Sequence, residues 1–157
     1  MTQKIKIKGK LVFVDVFLIE KDEVKDFSRV YVVVRNSDNK IALIYNSKRD
    51  VWGFPGGHSE EGESVYDTAM RECVEEIGFS IKNCESKYVL LNKLDNGEEK
   101  MQIICFAEID KESKKFVDEN ESVSCVKFVD IKNIQEEMGN FDLWEGILQE
   151  YKKWRVN

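Results

Sequence analysis

The segment SVYDTAMRECVEEIG, residues 64–78, is the most tightly constrained part of this sequence, because signals for both ends of a helix bracket it. Ser64 is followed three residues later by Asp67, which nearly matches a capping box, and Gly78 is a typical helix stop. The sequence therefore predicts one helix here. The loop before it, VWGFPGGHSEEGE, holds Pro55, the only proline of the chain.

Three acidic residues crowd the far end of this predicted helix: Glu72, Glu75 and Glu76. At roughly 100° per residue they share one narrow arc, and apolar residues occupy the neighbouring arc. Like charges four residues apart repel by a few tenths of a kcal/mol, and these acids also face the negative end of the helix dipole. We therefore expect a compensating group. A hard divalent cation such as Mg²⁺ suits three carboxylates on a rigid backbone, and an ordinary solvated acidic face is the alternative.

Short β-branched and apolar runs dominate the rest of the chain. RVYVVVRN and IALIYNS predict a hairpin, and KYVLLNKL and KMQIICFAEI predict a second hairpin across Asn96-Gly97. KIKIKGKLVFVDVFLI predicts one strand that starts exposed and then enters the core, and SVSCVKFVDI predicts another strand.

Two further helices are predicted near the end of the sequence. KNIQEEMG is read as a short helix, and FDLWEGILQEYKKW places large apolar residues on one helical stripe. Strands in the middle with a few helices around them predict an α+β domain, in which a mixed sheet lies between helical layers.

Composition excludes some classes of function. The 157 residues fit one domain, and the net charge of -6 offers no basic excess for a phosphate backbone, so nucleic-acid binding is not expected. No signal-type segment is seen, and the longest apolar run is too short to cross a bilayer, so a cytoplasmic protein without membrane contact is expected. The cysteines lack a C-x-x-C pattern and are expected to be reduced and buried: Cys73, Cys84, Cys105 and Cys125.

The loop and the helix together follow one fixed spacing. The pattern is G-x5-E-x7-R-E-U-x-E-E-x-G-U, in which U is apolar. It is formed by Gly57, five residues, Glu63, seven residues and RECVEEIGF. This pattern, with the W-x-x-P-G-G lead-in that starts at Trp52, resembles the signature box of the Nudix hydrolase family. The box spans residues 57–79, and Cys73 stands where the family usually has an aliphatic residue. We expect a single Nudix domain over residues 1–157.

The resemblance implies a fold and a chemistry. Nudix proteins fold as an α/β/α sandwich with a mixed β-sheet, and Nudix enzymes use Mg²⁺ or Mn²⁺ to hydrolyse a nucleoside diphosphate linked to another group. The partner is then a small-molecule nucleotide. The implied metal ligands are Glu72, Glu75, Glu76 and the close-approaching backbone of Gly57, and the implied structural pair is Glu63 with Arg71, which ties the loop to the helix.

The base that takes a proton from the attacking water is left open by the resemblance. It is a glutamate of the box, Glu75 or Glu76, or one on a distant loop. The segment FVDENESVSC offers Glu119 and Glu121, of which Glu121 is favoured. A solvated loop acid is the alternative reading of both.

The substrate is indicated by residues outside the box, which differ between branches of the family. The downstream segment LLNKLDNGEE lacks the proline and the tyrosine of the ADP-ribose and diadenosine-polyphosphate branches, which favours nucleoside-triphosphate pyrophosphohydrolases. Asp142 and Trp144 resemble the base-holding segment of the oxidised-purine triphosphatases, although a helix cap and a core residue are the alternatives. Hydrolysis of a nucleotide sugar or another diphosphate, and a non-catalytic nucleotide-sensing module, remain competing interpretations.

Overall fold

The computed structural model describes residues 2–7, 10–18, 27–93, 96–112, 123–138 and 142–156. Within these ranges the strands are β1 Thr2–Ile7, β2 Lys10–Leu18, β3 Arg29–Arg35, β4 Ile41–Asn46, β5 Val51–Gly53, β6 Gly56–His58, β7 Phe79–Lys93, β8 Glu99–Glu112 and β9 Val123–Val129. The helices are α1 Val65–Ile77, α2 Ile134–Glu137, which continues a 3-10 turn at Ile131–Asn133, and α3 Asp142–Lys153.

All of these strands belong to one mixed sheet. The order along the sheet is β1-β2-β7-β8-β3-β4-β5, while β6 pairs with β3 and β9 pairs with β4. The β3–β8 pair is parallel and the other pairs are antiparallel. Strand β3 therefore lies in the interior of the sheet, and part of its length borders the short strand β6.

The sheet separates two hydrophobic cores, because alternate residues of a strand point to opposite faces. On one face Val32 of β3 belongs to a cluster with Ala69 and Cys73 of α1. On the other face Val33 belongs to a cluster with Leu148 of α3. Helices thus cover both faces, and the predicted mixed sheet between helical layers is confirmed.

Helix α1 begins and ends at the residues that the sequence indicates. The Ser64 side chain accepts a hydrogen bond from the Asp67 amide, and the Asp67 carboxylate accepts one from the Ser64 amide, which completes the capping box. Gly78 adopts a left-handed conformation with φ 76°, and its amide donates to the carbonyls of Cys73 and Val74.

Both predicted hairpins are present. Strands β3 and β4 pair antiparallel, with Arg35 opposite Ile41. Strands β7 and β8 pair antiparallel on either side of Asn96-Gly97, with Lys93 opposite Glu99. Strand β7 is longer than the sequence indicates, since it starts at Phe79, directly after the α1 stop.

Two sequence-based expectations are wrong. The predicted single N-terminal strand is two strands, β1 and β2, which pair antiparallel from Thr2 with Asp15 to Ile7 with Lys10. This pairing satisfies backbone groups that a lone exposed strand would leave to water. The predicted loop around Pro55 also contains the short strands β5 and β6, because β4 and β3 supply hydrogen-bonding partners for them.

The cysteines differ in exposure. Cys73 and Cys105 are buried, Cys84 is half-buried, and Cys125 is exposed, so the expectation of buried thiols holds for only part of the set. All four are free thiols. No helix among the described residues is long and apolar enough to span a membrane.

Candidate active site

Strand β6 brings the glycine loop against the start of β3. Gly57 lies opposite Val30 and Gly56 lies opposite Tyr31 in the antiparallel register. A Cβ on Gly56 would lie 2.1 Å from the Val30 carbonyl oxygen, and a Cβ on Gly57 would lie 2.2 Å from Glu72 Oε1. Gly56 therefore requires glycine because its neighbours are backbone atoms, whereas a side chain on Gly57 would have to displace the Glu72 carboxylate.

The three glutamates of α1 extend toward this glycine strand and toward Arg71. Glu72, only 8% exposed, accepts a hydrogen bond from Arg71 Nη1 at 2.9 Å. Glu75 accepts one from the same nitrogen at 3.3 Å. Glu76 accepts a hydrogen bond from the Gly56 amide at 3.0 Å. The helical spacing thus brings the three carboxylates to one end of the sandwich, at the edge of β6.

Arg71 and Glu63 form a two-pronged ion pair between helix and loop. Arg71 Nε donates to Glu63 Oε2 at 2.8 Å, and Nη2 donates to Glu63 Oε1 at 2.9 Å. Arg71 Nη2 also donates to the His58 carbonyl at 2.9 Å, and the Thr68 hydroxyl donates to Glu63. The Arg71 hydrogen bond is the main reason that the pKa of Glu63 falls to about 2. Fixed geometry and charge together hold the loop against α1.

Burial disfavours the ionised forms of Glu72 and Glu76, and their hydrogen bonds offset this effect only in part. The pKa of Glu76 rises to about 8, mainly because the carboxyl is desolvated, although its bond to the Gly56 amide acts in the opposite direction. The pKa of Glu72 is also raised by burial, and Arg71 opposes that shift. Neighbouring acids add to both shifts. A site in which ionised carboxylates are unfavourable is one that a bound cation would stabilise.

The oxygen donors suit Mg²⁺ or Mn²⁺, and the missing side chain of Gly57 lets the Glu72 carboxylate lie close to the backbone of β6. Among the described residues, however, no group of three or more acidic, histidine or cysteine side chains converges on a single metal position. Arg71 holds two of the glutamates, while Glu76 lies on the Gly56 amide. Metal binding by Glu72, Glu75 and Glu76 therefore stays a prediction, and it requires exchange of these contacts.

The residues predicted to hold the base lie at the start of α3. Asp142 is the first residue of that helix. Trp144 is 8% exposed and packs edge-on against Tyr31 and Phe54, with ring centroids 5.8 and 4.7 Å apart. The Trp144 ring thus belongs to the core on the α3 face. Glu119 and Glu121, the candidate loop bases, lie outside the described residues.

Arg29 is a site neighbour that the sequence does not single out. Its backbone lies opposite His58 of β6, and its charge lowers the pKa of Glu72 and of Glu76 against the effect of burial. The register between β3 and β6 would have identified it, and no local sequence signal encodes that register.

A mixed sheet between helical layers, with a glycine strand lying under the glutamates of a G-x5-E-x7-R-E-x2-E-E motif, is the architecture of Nudix proteins. The sequence profile of the NUDIX domain matches residues 25–148, and the chain belongs to that family. It is 39% identical over 70 residues to an uncharacterized Nudix hydrolase of Bacillus subtilis, covering 45% of this chain and 44% of the relative. It is 36% identical over 50 residues to a putative 8-oxo-dGTP diphosphatase of the same organism, covering 32% of this chain and 34% of the relative.

The crystal structure of the Bacillus subtilis pyrophosphohydrolase BsRppH, in a mutant form, superposes with a TM-score of 0.76. The superposition covers 99% of both chains at 18% identity, which shows a shared fold. The chain spans less than half the length of the two curated relatives.

Proposed function

We propose that the protein is a Nudix hydrolase that uses Mg²⁺ or Mn²⁺ to cleave a nucleoside diphosphate linked to another group. The preferred substrate is a nucleoside triphosphate, which is an oxidised purine nucleotide in the narrowest form of the proposal, and the products are a monophosphate and pyrophosphate. The observation that carries this proposal is the pair of desolvated glutamates, Glu72 and Glu76, beside the glycine strand. A divalent cation bridging to a diphosphate would remove the repulsion there.

The residues divide into three roles. Glu72, Glu75 and Glu76 would hold the cation, which when bound neutralises the diphosphate and makes a water more acidic. Glu63 and Arg71 keep the loop against α1, so that the Gly57 backbone stays close to the carboxylates. A glutamate takes the proton from the attacking water, and the candidates are Glu75, Glu76 and Glu121. In-line attack on one phosphorus then releases the other phosphate.

Recognition of the base is assigned to Asp142 and Trp144. The name of one relative, a putative 8-oxo-dGTP diphosphatase, supports an oxidised purine as the base. The Asp142 carboxylate, at the start of α3, would accept a hydrogen bond from the edge of the base. The buried Trp144 ring would form part of the surface of the base pocket. The test is Asp142→Ala. It should reduce discrimination between 8-oxo-dGTP and dGTP, and an unchanged ratio of their kcat/KM values would remove Asp142 from this role.

The experiment that tests the reaction is a substrate panel with Mg²⁺. The panel contains nucleoside triphosphates, nucleotide sugars, other nucleoside diphosphate derivatives and a short RNA with a 5′-triphosphate. They are compared by release of pyrophosphate, phosphate or monophosphate. Pyrophosphate from a triphosphate supports the proposal, whereas cleavage of only a nucleotide sugar supports the alternative diphosphatase. Turnover of the RNA would contradict the expectation that nucleic acid is not a partner.

Matched variants link the panel to the site. Glu76→Gln should abolish turnover by the folded protein, and the exposed Glu136→Gln, with the same loss of charge, should leave it unchanged. If wild type binds nucleotides with Mg²⁺ but cleaves none of them, the protein is instead a nucleotide-sensing Nudix module.

A further inference from the structure

Arg29 is a cation beside the acidic site to which the proposed chemistry gives no role. It begins β3, and its backbone pairs with His58 of β6, one residue beyond Gly57. Its positive charge is close enough to Glu72 and Glu76 to counteract part of the effect of burial on their pKa values. The strand register therefore places the start of β3, from which the Arg29 side chain extends, beside the glycine strand next to the carboxylates.

The contacts of the Arg29 guanidinium differ from those of Arg71. Its Nε is buried and has no hydrogen-bond partner within the part of the chain that the structure describes. Its Cζ lies over the Tyr31 ring, 5.2 Å from the ring centroid. Arg71 differs, because ion pairs to Glu63, Glu72 and Glu75 occupy its nitrogens. A buried donor without an acceptor is costly, and a ligand that brings the acceptor explains why such a group is kept.

Arg29 lies between two parts that a nucleotide site needs: an aromatic group for the base and the carboxylates for the phosphates. Tyr31 is the next residue on the same face of β3, and its ring packs edge-on against Trp144 at 5.8 Å. Arg29 thus lies beside the aromatic group formed by Tyr31, Trp144 and Phe54, and its charge reaches the glutamates of α1. In a nucleotide the ribose joins the phosphates to the base, so a guanidinium between the carboxylates and the aromatic group would lie near the phosphates.

We propose that Arg29 anchors the substrate, its guanidinium donating hydrogen bonds to a phosphate of the nucleotide while the α1 carboxylates engage the diphosphate through the divalent cation. The inference rests on the proposed function and adds a residue to it. A guanidinium stays charged at any working pH, and its planar fork matches two phosphate oxygens. The Tyr31 ring, whose centroid lies 5.2 Å from Arg29 Cζ, restricts the position of the guanidinium.

The test compares Arg29→Gln and Arg29→Lys with wild type, and Arg155→Gln is the matched control. Arg155 is exposed and donates to the backbone carbonyls of Lys152 and Trp154, outside the site. Binding is measured by calorimetry, with Mg²⁺ and the α,β-methylene analogue of the nucleoside triphosphate that wild type hydrolyses fastest. The kcat, the KM and the melting temperature are measured for the same proteins.

Arg29→Gln should weaken binding of the analogue by about tenfold or more and raise the KM by a similar factor, because one charge-assisted contact is lost. Arg29→Lys should recover part of the affinity, since it keeps the charge without the fork. The melting temperature of Arg29→Gln should change by only a few degrees, because the loss of an unpaired buried donor offsets the loss of a charge that favours ionised Glu72 and Glu76. Arg155→Gln should bind the analogue within about twofold of wild type.

Three results would overturn the inference. Arg29→Gln could bind the analogue as tightly as wild type while wild type remains active, which would reject the Arg29 role and leave the proposed function standing. A large fall in melting temperature that Arg29→Lys corrects without recovering affinity would assign Arg29 a structural role. If wild type neither cleaves nor binds any nucleotide with Mg²⁺, the proposed function and the Arg29 role both fail.

Discussion

The Glu72 carboxylate lies in the space that a side chain on Gly57 would need, since a Cβ there would be 2.2 Å from Glu72 Oε1. The helix glutamate and the strand glycine are therefore one structural unit, although fourteen positions of chain separate them. Moving either one displaces the other.

Gly57→Ala should reduce kcat/KM by about 100-fold, because the new methyl group forces Glu72 away from its position. The control is Gly53→Ala in β5, where a Cβ would meet no atom within 4 Å. Steady-state kinetics on the best substrate of the panel checks both variants. Equal activity of Gly57→Ala and wild type would contradict the close contact.

Glu63→Gln should lower the free energy of unfolding by roughly 1–3 kcal/mol at pH 7, since Arg71 would lose its charged partner. The pKa of Glu63 lies at about 2 in the folded protein, below its ordinary value of 4.5. Its stabilisation is complete above pH 4.5 and decreases as the pH falls toward 2. Denaturant unfolding from pH 7 down to pH 3 should show the two proteins converging.

The control for this variant is Glu60→Gln. The Glu60 side chain is 69% exposed, and its carboxylate lies 3.8 Å from Arg71 Nε. An exposed pair of that kind contributes about 0–1 kcal/mol. A Glu60→Gln effect as large as that of Glu63→Gln would show that net charge, rather than the two-pronged pair, holds the loop.

Glu76→Gln should stabilise the metal-free protein at high pH. The folded-state pKa of Glu76 is about 8 and its ordinary value is 4.5, so the wild-type protein loses stability as the pH rises between these values. The stability advantage of the variant should therefore grow from pH 4.5 to 8, to an order of 1–3 kcal/mol, and then level off. Thermal unfolding in a chelator measures it, with Glu136→Gln as the control.

Adding Mg²⁺ should reduce this advantage, because a cation that binds the folded wild-type protein stabilises it by mass action. A difference that does not vary with pH would show that Glu76 is not desolvated in the folded protein.

Gly146→Ala should raise the free energy of unfolding by roughly 0.5–1 kcal/mol. Gly146 is exposed in the middle of α3, and a Cβ there would meet no atom within 4 Å. Gly97→Ala is the matched comparison: its surroundings are equally open, but its φ of +84° is strained for alanine. Denaturant unfolding should show opposite signs for the two variants.

The sequence was sufficient where the structural signal is local. Ser64, Asp67 and Gly78 define α1 because their hydrogen bonds join residues only three to five positions apart. The Asn96-Gly97 turn fixes its hairpin for the same reason. The resemblance of the box to the Nudix signature likewise implied the pair of Glu63 and Arg71, and the two side chains are hydrogen-bonded across seven intervening residues.

Long-range register could not be predicted in this way. Nothing local indicates that Gly56–His58 pairs with β3, or that the lysine-rich start of the chain folds back on β2. The proximity of Arg29 to Glu72 depends on that register, and so does the burial that raises the pKa of Glu76. The hydrogen bonds from Arg71 to Glu72 and Glu75 could not be predicted either, since the sequence is equally compatible with an Arg71 that bonds to Glu63 alone.

The parallel pairing of β3 with β8 has a kinetic consequence. Arg29 lies opposite Gln102, so β3 can pair with β8 only by closing a loop of more than seventy residues. Contacts this distant in sequence must overcome a large loop-closure entropy, and they form slowly. The β7–β8 hairpin, which closes over a short turn, should therefore form first and act as the template onto which β3 docks. Hairpin substitutions far from the glutamates would then slow the appearance of activity during refolding.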